Sequence, residues 1–330
     1  MNTQDTGPLL NVRNLKVELT TKAGSFFPVN DHSFSVQAGE TLGIVGESGS
    51  GKSMTAMSLM RLLPKHAAKI RGGSVKLDGR ELMTLNEKEM RQVRGADISM
   101  ILQDPQTSLN PAFTVGSQIG EALKLHSDAP RKTLRERTID ALRRVKVAAP
   151  EHRVDNYPGE MSGGMRQRVV GAIAISCRPK VIIADEPTTS LDVTVQAQYL
   201  RLLKQLQDDT GMAILFITHD FGIVANLCHN VIVMYAGRIV ESGPVAKIFA
   251  NPAHPYTEAL IAAVPSLHGH QGRLTTIPGQ PPAPTDKITG CPFAPRCAYA
   301  DDKCRAEAPP TVAADSVGDH TTSCWRAVPA

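Results

Sequence analysis

An α/β fold built on a largely parallel sheet is what this sequence predicts, closed by a loop-rich tail after about residue 265. Three observations carry that expectation. Short β-branched runs alternate with helix-length periodic segments, the pattern of parallel strands joined by helices. A glycine-rich segment, Gly46 to Ser53, follows one such run and opens a helix-length stretch. Beyond residue 265 the periodicity gives way to punctuation by Pro265, Pro278, Gly279, Pro281, Pro282 and Pro284.

The elements follow in order. Leu42–Val45 reads as a buried strand, Gly46–Ser53 as a turn, and the next segment as a helix that Pro64 ends. Ile98–Leu102 is a second strand. Leu134, Ala141, Leu142 and Val145 then share one helical face, while Arg135, Glu136, Asp140, Arg143 and Arg144 occupy others, so a helical subdomain is inserted here. Val181–Ala184 and Ile214–Thr218 complete the set of core strands. Between them the helix after Asp192 places Val195, Tyr199, Leu202, Leu203 and Leu206 at core spacing. Val231–Tyr235, Ala236-Gly237 and Arg238–Val240 read as a hairpin.

Composition sets the boundaries. The 330 residues suit two domains at about 150 residues each. A chain that is 42% hydrophobic and 21% charged buries a real core, and 36 basic against 32 acidic side chains exclude a charge-driven nucleic-acid binder. No run approaches about 18 consecutive apolar residues, so the chain is not expected to span a membrane. Residues Met1 to Pro8 lack the basic start and apolar run of a secretory signal, which makes the cytoplasm the expected compartment and disulfides unexpected.

Ligands of open α/β sheets bind beyond the carboxyl ends of the strands, so the residues after each strand carry the functional expectations. Gly46-Glu47-Ser48-Gly49-Ser50-Gly51-Lys52-Ser53 matches G-x-x-x-x-G-K-[ST] in its proper strand–loop–helix context. Its glycines let successive backbone N–H groups face one concavity, Lys52 reaches the β- and γ-phosphates, and Ser53 offers a hydroxyl to Mg²⁺. Val181-Ile182-Ile183-Ala184-Asp185-Glu186 ends a hydrophobic strand in two carboxylates. Alone, such a pair is ordinarily a solvated strand end. With a phosphate loop in the same chain it reads as Asp185 holding Mg²⁺ and Glu186 activating water as general base.

Ser162-Gly163-Gly164-Met165-Arg166-Gln167-Arg168 resembles the signature of ATP-binding cassette (ABC) ATPases, with Met161 where that family usually has leucine. The resemblance implies a P-loop ABC ATPase core with an antiparallel β subdomain and a helical subdomain at about 104–165, within a nucleotide-binding domain at 1–255. It implies that Ser162, Gly163 and Gly164 close over ATP held by a second cassette in a head-to-tail dimer. Gln103 matches the glutamine loop that joins Mg²⁺ and attacking water to the helical insertion. Ser190-Leu191-Asp192 matches the loop whose aspartate touches the opposite subunit, and His219 matches the switch histidine at the γ-phosphate. Phe26 or Phe27 is the candidate for adenine stacking.

Three further segments, 103–111, 185–192 and 251–260, are similar to those of ATPase subunits of bacterial di- and oligopeptide importers. This extends the resemblance over nearly the whole chain, with residues 256–330 as a C-terminal extension that His254 and Tyr256 anchor. It implies hydrolysis of ATP with Mg²⁺ on the cytoplasmic face of the membrane. It also implies two membrane-spanning permeases, a related second ATPase and an extracytoplasmic solute-binding protein as partners. A soluble ABC ATPase of iron–sulfur assembly is the alternative, although such proteins usually end soon after the cassette.

Cys291-x5-Cys297-x6-Cys304-x19-Cys324 gathers four soft ligands in a segment too poor in apolar residues to fold on burial alone, so a metal staple is expected. The spacing fits neither common zinc sites nor ferredoxins and leaves both metals open. The resemblance implies a [4Fe–4S] cluster, through Gly290-Cys291-Pro292-Phe293-Ala294-Pro295-Arg296-Cys297. Cys177 and Cys228 are expected on helices as small buried hydrophobes.

Overall fold

The computed structural model describes residues 7–126, 130–189, 191–264 and 276–328. The chain forms two compact units. The first takes residues 1–10, 36–40 and 78–216. Strands Ile98–Ile101 and Val181–Asp185 run parallel in it, with Ile98 opposite Val181 and Ile101 opposite Ala184. Every residue of Val181–Asp185 is buried, as expected for a strand covered on both faces. Helix Gly163–Ile175 packs against Ile98–Ile101, and the helices Val115–His126 and Arg131–Arg144 pack on it and on each other. On Arg131–Arg144, Ala141 and Leu142 are buried while Arg135 and Arg143 stay in solvent and pair with Asp155 and with Glu151. Helix Val193–Thr210 buries Tyr199, Leu202, Leu203 and Leu206 of the predicted stripe, while Val195, in its first turn, is only half-buried.

The second unit holds residues 11–35, 41–77 and 217–330. Strands Leu10–Thr21 and Gly24–Val36, joined by the turn Lys22-Ala23, form a hairpin with Ala68–Leu77 on its other side. Thr41–Val45 pairs in parallel with Asn230–Tyr235, which turns through Ala236-Gly237 into the antiparallel strand Arg238–Pro244. Beyond this predicted hairpin, Arg238–Pro244 takes Thr321–Thr322 as a further antiparallel neighbour, so the C-terminal extension adds to the core sheet.

Two expectations need correction. Helix Lys52–Leu59 stops well before Pro64, because Arg61 turns left-handed (φ 52°) and Leu62 N–H bonds back to Met57 O at 2.8 Å. Cys177 and Cys228 lie just beyond the ends of helices Gly163–Ile175 and Phe221–Leu227 rather than on them, and both are half-buried.

His32 lies fully buried in the second unit, its Nε2–H donating to Gly237 O at 2.9 Å. Burial lowers its pKa from the ordinary 6.5 to about 4. The unfolded chain therefore binds the extra proton first as pH falls. This contribution to stability is full above pH 6.5 and declines by about 1.4 kcal/mol per pH unit down to about pH 4. His32→Gln keeps a donor near Nε2 and cannot titrate there. Urea unfolding between pH 6.5 and 4.5 should show a pH slope shallower by about that amount in the variant, and equal slopes would contradict the assignment.

Candidate active site

Strand Thr41–Val45 is buried throughout, and the chain leaves the core at Gly46 into the glycine-rich loop. Gly46, Gly49 and Gly51 all have positive φ, 151°, 80° and 104°. At two of them side chains are excluded by space as well. A Cβ at Gly46 would lie 2.2 Å from Met234 O, and one at Gly51 only 1.9 Å from Pro28 O. Lys52 begins the helix, is buried, and donates from Nζ to Gly46 O at 2.7 Å and Glu47 O at 3.1 Å, folding its ammonium back under the loop. Ser50 Oγ is buried with no hydrogen-bond partner among the described residues. Ser48 and Gly49 are exposed at the rim, and Ser53 is half-buried in the first helical turn. A backbone cradle, a buried cation, an orphaned hydroxyl and a helix N-terminus together fit a nucleotide's phosphates and their Mg²⁺.

In the first unit Asp185 closes its strand with 6% of its surface exposed. Glu186 follows with φ 45°, a left-handed conformation that costs a non-glycine residue about 1–2 kcal/mol. Two donors meet on its Oε2: Gln103 Nε2 at 2.9 Å and Thr189 Oγ1 at 3.2 Å. The parallel register of the two strands brings Gln103 and Glu186 together at their common end. Sequence reasoning assigned no role to Thr189, although hydroxyl spacing three residues after a carboxylate is a readable signal.

Ser162 caps helix Gly163–Ile175, its Oγ accepting Met165 N–H at 3.4 Å. Ser162 and Gly163 are exposed, and a Cβ at Gly163 would meet nothing within 4 Å, so the helix start presents open backbone donors. A Cβ at Gly164 would press on Val195 Cγ1 at 3.0 Å. Met161 packs as a buried side chain, as its apolar character requires. Asp192 is exposed and caps helix Val193–Thr210 by accepting Val195 N–H at 2.9 Å, while Ser190 lies outside the described residues. In the second unit His219 is exposed immediately after strand Ala213–Thr218. Phe27 is 37% exposed, with Lys16 Nζ 4.5 Å above its ring, and Phe26 is half-buried.

Residues 29–189 match the ABC transporter family model, and residues 240–304 match that of the oligopeptide/dipeptide transporter C-terminal region. A probable peptide ABC transporter ATP-binding protein, y4tR of Sinorhizobium fredii, is 51% identical over 319 residues, covering 96% of this chain and 95% of the relative. The chain belongs to the ATP-binding subunits of peptide ABC transporters. Another member, the dipeptide transport ATP-binding protein DppD of Escherichia coli, is 48% identical over 301 residues, covering 91% of this chain and 92% of DppD. The fold matches the dimeric ABC cassette MJ0796 in its post-hydrolysis state with ADP and Pi, at a TM-score of 0.64 and 24% identity, over 72% of this chain and 98% of that one. It also matches cbiO1 from Clostridium perfringens, part of the ABC transporter complex cbiONQ, at a TM-score of 0.62 and 28% identity, over 74% and 91%. As a member of this family the protein is an ABC-type ATPase that hydrolyses ATP. Among its described residues no helix is long and apolar enough to cross a membrane.

Within the second unit, buried polar bonds fasten the C-terminal extension of this ABC subunit to strand Arg238–Pro244. Glu241 is almost wholly buried and accepts Ala253 N–H at 2.7 Å, His254 N–H at 3.0 Å and His320 Nε2–H at 2.7 Å. His254 Nδ1 in turn caps helix Pro255–Ala262 by accepting Tyr256 N–H at 3.1 Å. Cys291, Cys297, Cys304 and Cys324 all line one small apolar cavity, where Cys291 N–H also bonds to Cys304 O at 2.8 Å. Burial pushes the Cys291 thiol up to about 11 and raises those of Cys304 and Cys324. Among the described residues no three His, Cys, Asp or Glu side chains form a group that could hold a single metal ion. The sequence reading named Tyr256 as an anchor without its partner and missed Arg296; both bond to Glu47 of the glycine-rich loop.

Proposed function

We propose that this chain energises uptake of di- or oligopeptides, or related solutes, from the cytoplasmic face of the membrane. Near-full-length identity of 48% to a dipeptide transport ATP-binding protein, C-terminal region included, is the observation that carries this reading. The partners are two membrane-spanning permeases, an extracytoplasmic solute-binding protein and a second, homologous ATPase. Residues 1–255 are the nucleotide-binding domain, with the helical subdomain at about 104–165, and 256–330 the extension. Gly46 to Ser53 bind the phosphates of ATP, and Ser53, Gln103 and Asp185 serve Mg²⁺. Glu186 takes the proton of the attacking water, Gln103 and Thr189 orient its carboxylate, and His219 meets the γ-phosphate. Ser162, Gly163, Gly164 and Asp192 complete the site of the second cassette. Anaerobic purification of the tagged chain from detergent-solubilised membranes tests the partnership. Two polytopic proteins and a second ATPase should accompany it; recovery only from the soluble fraction with iron–sulfur scaffold proteins would favour the assembly reading instead.

Within this reading the four C-terminal cysteines hold a [4Fe–4S] cluster. Their placement around one cavity supports a shared ligand set, and four thiolates suit a cube that takes one per iron. When bound, the cluster supplies cross-links among residues 291–324, a segment with little core of its own. The chain prepared anaerobically should be brown with about four irons, and Cys297→Ser should lose both colour and iron. Stoichiometric zinc with no iron would overturn the assignment.

A further inference from the structure

We propose that Arg296 and Tyr256 are positioning residues for ATP binding, acting from the C-terminal extension on the phosphate loop through Glu47. The inference rests on the ATP site and is independent of what the cysteines hold. Glu47, the second residue of the loop, is gripped at both ends. Its backbone N–H donates to Tyr256 Oη at 2.9 Å. Its carboxylate takes two N–H bonds from the Arg296 guanidinium, at 2.7 and 3.0 Å. The Arg296 side chain is only 4% exposed, against 27% for Glu47.

The arginine is itself held from several sides. Its Nε donates to Pro278 O at 2.9 Å, and a terminal nitrogen donates to Tyr235 Oη at 3.2 Å. Its guanidinium stands 5.8 Å from the Tyr235 ring and 5.9 Å from the Phe293 ring. Tyr235, Tyr256 and Phe293 pack on one another with centroids 4.7 to 5.3 Å apart. Arg296 sits in the short turn Ala294–Arg296 that Cys297 closes, so this turn reaches Glu47 through its last residue.

Two consequences for ATP follow from charge and geometry. A bare carboxylate beside a triphosphate repels it, and the planar bidentate fork of an arginine neutralises that charge while fixing its direction. The Tyr256 hydroxyl fixes the orientation of the peptide unit that opens the loop, and the cradle depends on where successive N–H groups point. Tightening the loop in advance removes an ordering cost from binding, so the pair acts on ATP affinity rather than on the bond-breaking step.

The test uses the full chain carrying Glu186→Gln, so that Mg-ATP binds without turnover, and reads Kd together with the melting temperature without nucleotide. Tyr256→Phe removes one oxygen and keeps the ring; Arg296→Lys keeps the charge and loses the fork. Each is expected to weaken Mg-ATP binding about tenfold, the equivalent of about 1.4 kcal/mol; Tyr256→Phe should leave the nucleotide-free melting temperature nearly unchanged, whereas Arg296→Lys, which loses buried bonds, should lower it while the chain still folds. In the assembled transporter with Glu186 restored, both should raise KM and leave kcat close to native. Arg296→Met should cost more alone than in a Glu47→Gln background, because its effect passes through that carboxylate. Affinities within twofold of native in folded Tyr256→Phe and Arg296→Lys would overturn the proposal, as would an Arg296→Met loss undiminished by Glu47→Gln. A native chain that bound no Mg-ATP would overturn the ATP site itself, a result distinct from either.

Discussion

Glu186→Gln is expected to bind Mg-ATP with near-native affinity and to hydrolyse it ~10²–10⁴-fold more slowly, the range for removing a positioned general base. The amide preserves the size of the side chain and can still meet Thr189, and Gln103 can adjust by flipping its own amide, so the local frame survives. What is lost is the ability to take a proton from water. Single-turnover hydrolysis beside equilibrium binding separates the two effects. Near-native turnover would remove Glu186 from the role, and loss of binding would mean that its left-handed backbone, at φ 45°, matters to the fold of the site more than to the chemistry.

The second large effect belongs to Gly51. An alanine there must adopt φ 104° and place its Cβ 1.9 Å from Pro28 O, so either the loop or the strand Gly24–Val36 has to move. Gly51→Ala should abolish measurable ATP binding and destabilise the chain by about 3 kcal/mol, combining backbone strain with a steric clash. Gly49→Ala is the control. Its φ is also positive, 80°, yet nothing lies within 4 Å of the added carbon, so only the conformational cost of about 1 kcal/mol applies. Urea unfolding of both variants checks the difference. Equal stabilities would show that the loop yields more readily than its packing implies.

Much of this architecture is legible in the sequence for reasons that differ by element. The core strands declare themselves because both faces are covered, so Val181–Asp185 and Ala213–Thr218 are uninterrupted apolar runs up to their polar ends. The phosphate loop is readable because its glycines answer local steric demands. Asp192 and Ser162 are readable as helix starts because a cap is decided within three residues. The end of the first helix was not readable, since Arg61 supplies the left-handed turn where glycine would have announced it.

What the sequence conceals is long-range and polar. Arg296 meets Glu47 across a separation of 249 residues, and Glu241 meets His320 across 79, and no local pattern marks either pair. Thr321–Thr322 is too short to show an alternation, yet it extends the sheet because Arg238–Pro244 offers a free edge. The cysteines were conspicuous as residue types. Their common cavity is closed by His254, Pro255 and Phe293, and Cys291 and Cys297 pack on the cluster around Tyr235, which only the folded chain reveals.

The most direct test of the central claim is uptake by the reconstituted transporter. Proteoliposomes would carry this chain with its permeases and companion ATPase, enclose Mg-ATP on the side the ATPases face, and receive the solute-binding protein and a labelled dipeptide or oligopeptide on the other. The account predicts accumulation that requires enclosed Mg-ATP and collapses when this chain carries Glu186→Gln. Uptake undiminished by that substitution, or ATP turnover by the assembled complex that no peptide-loaded binding protein alters, would contradict it.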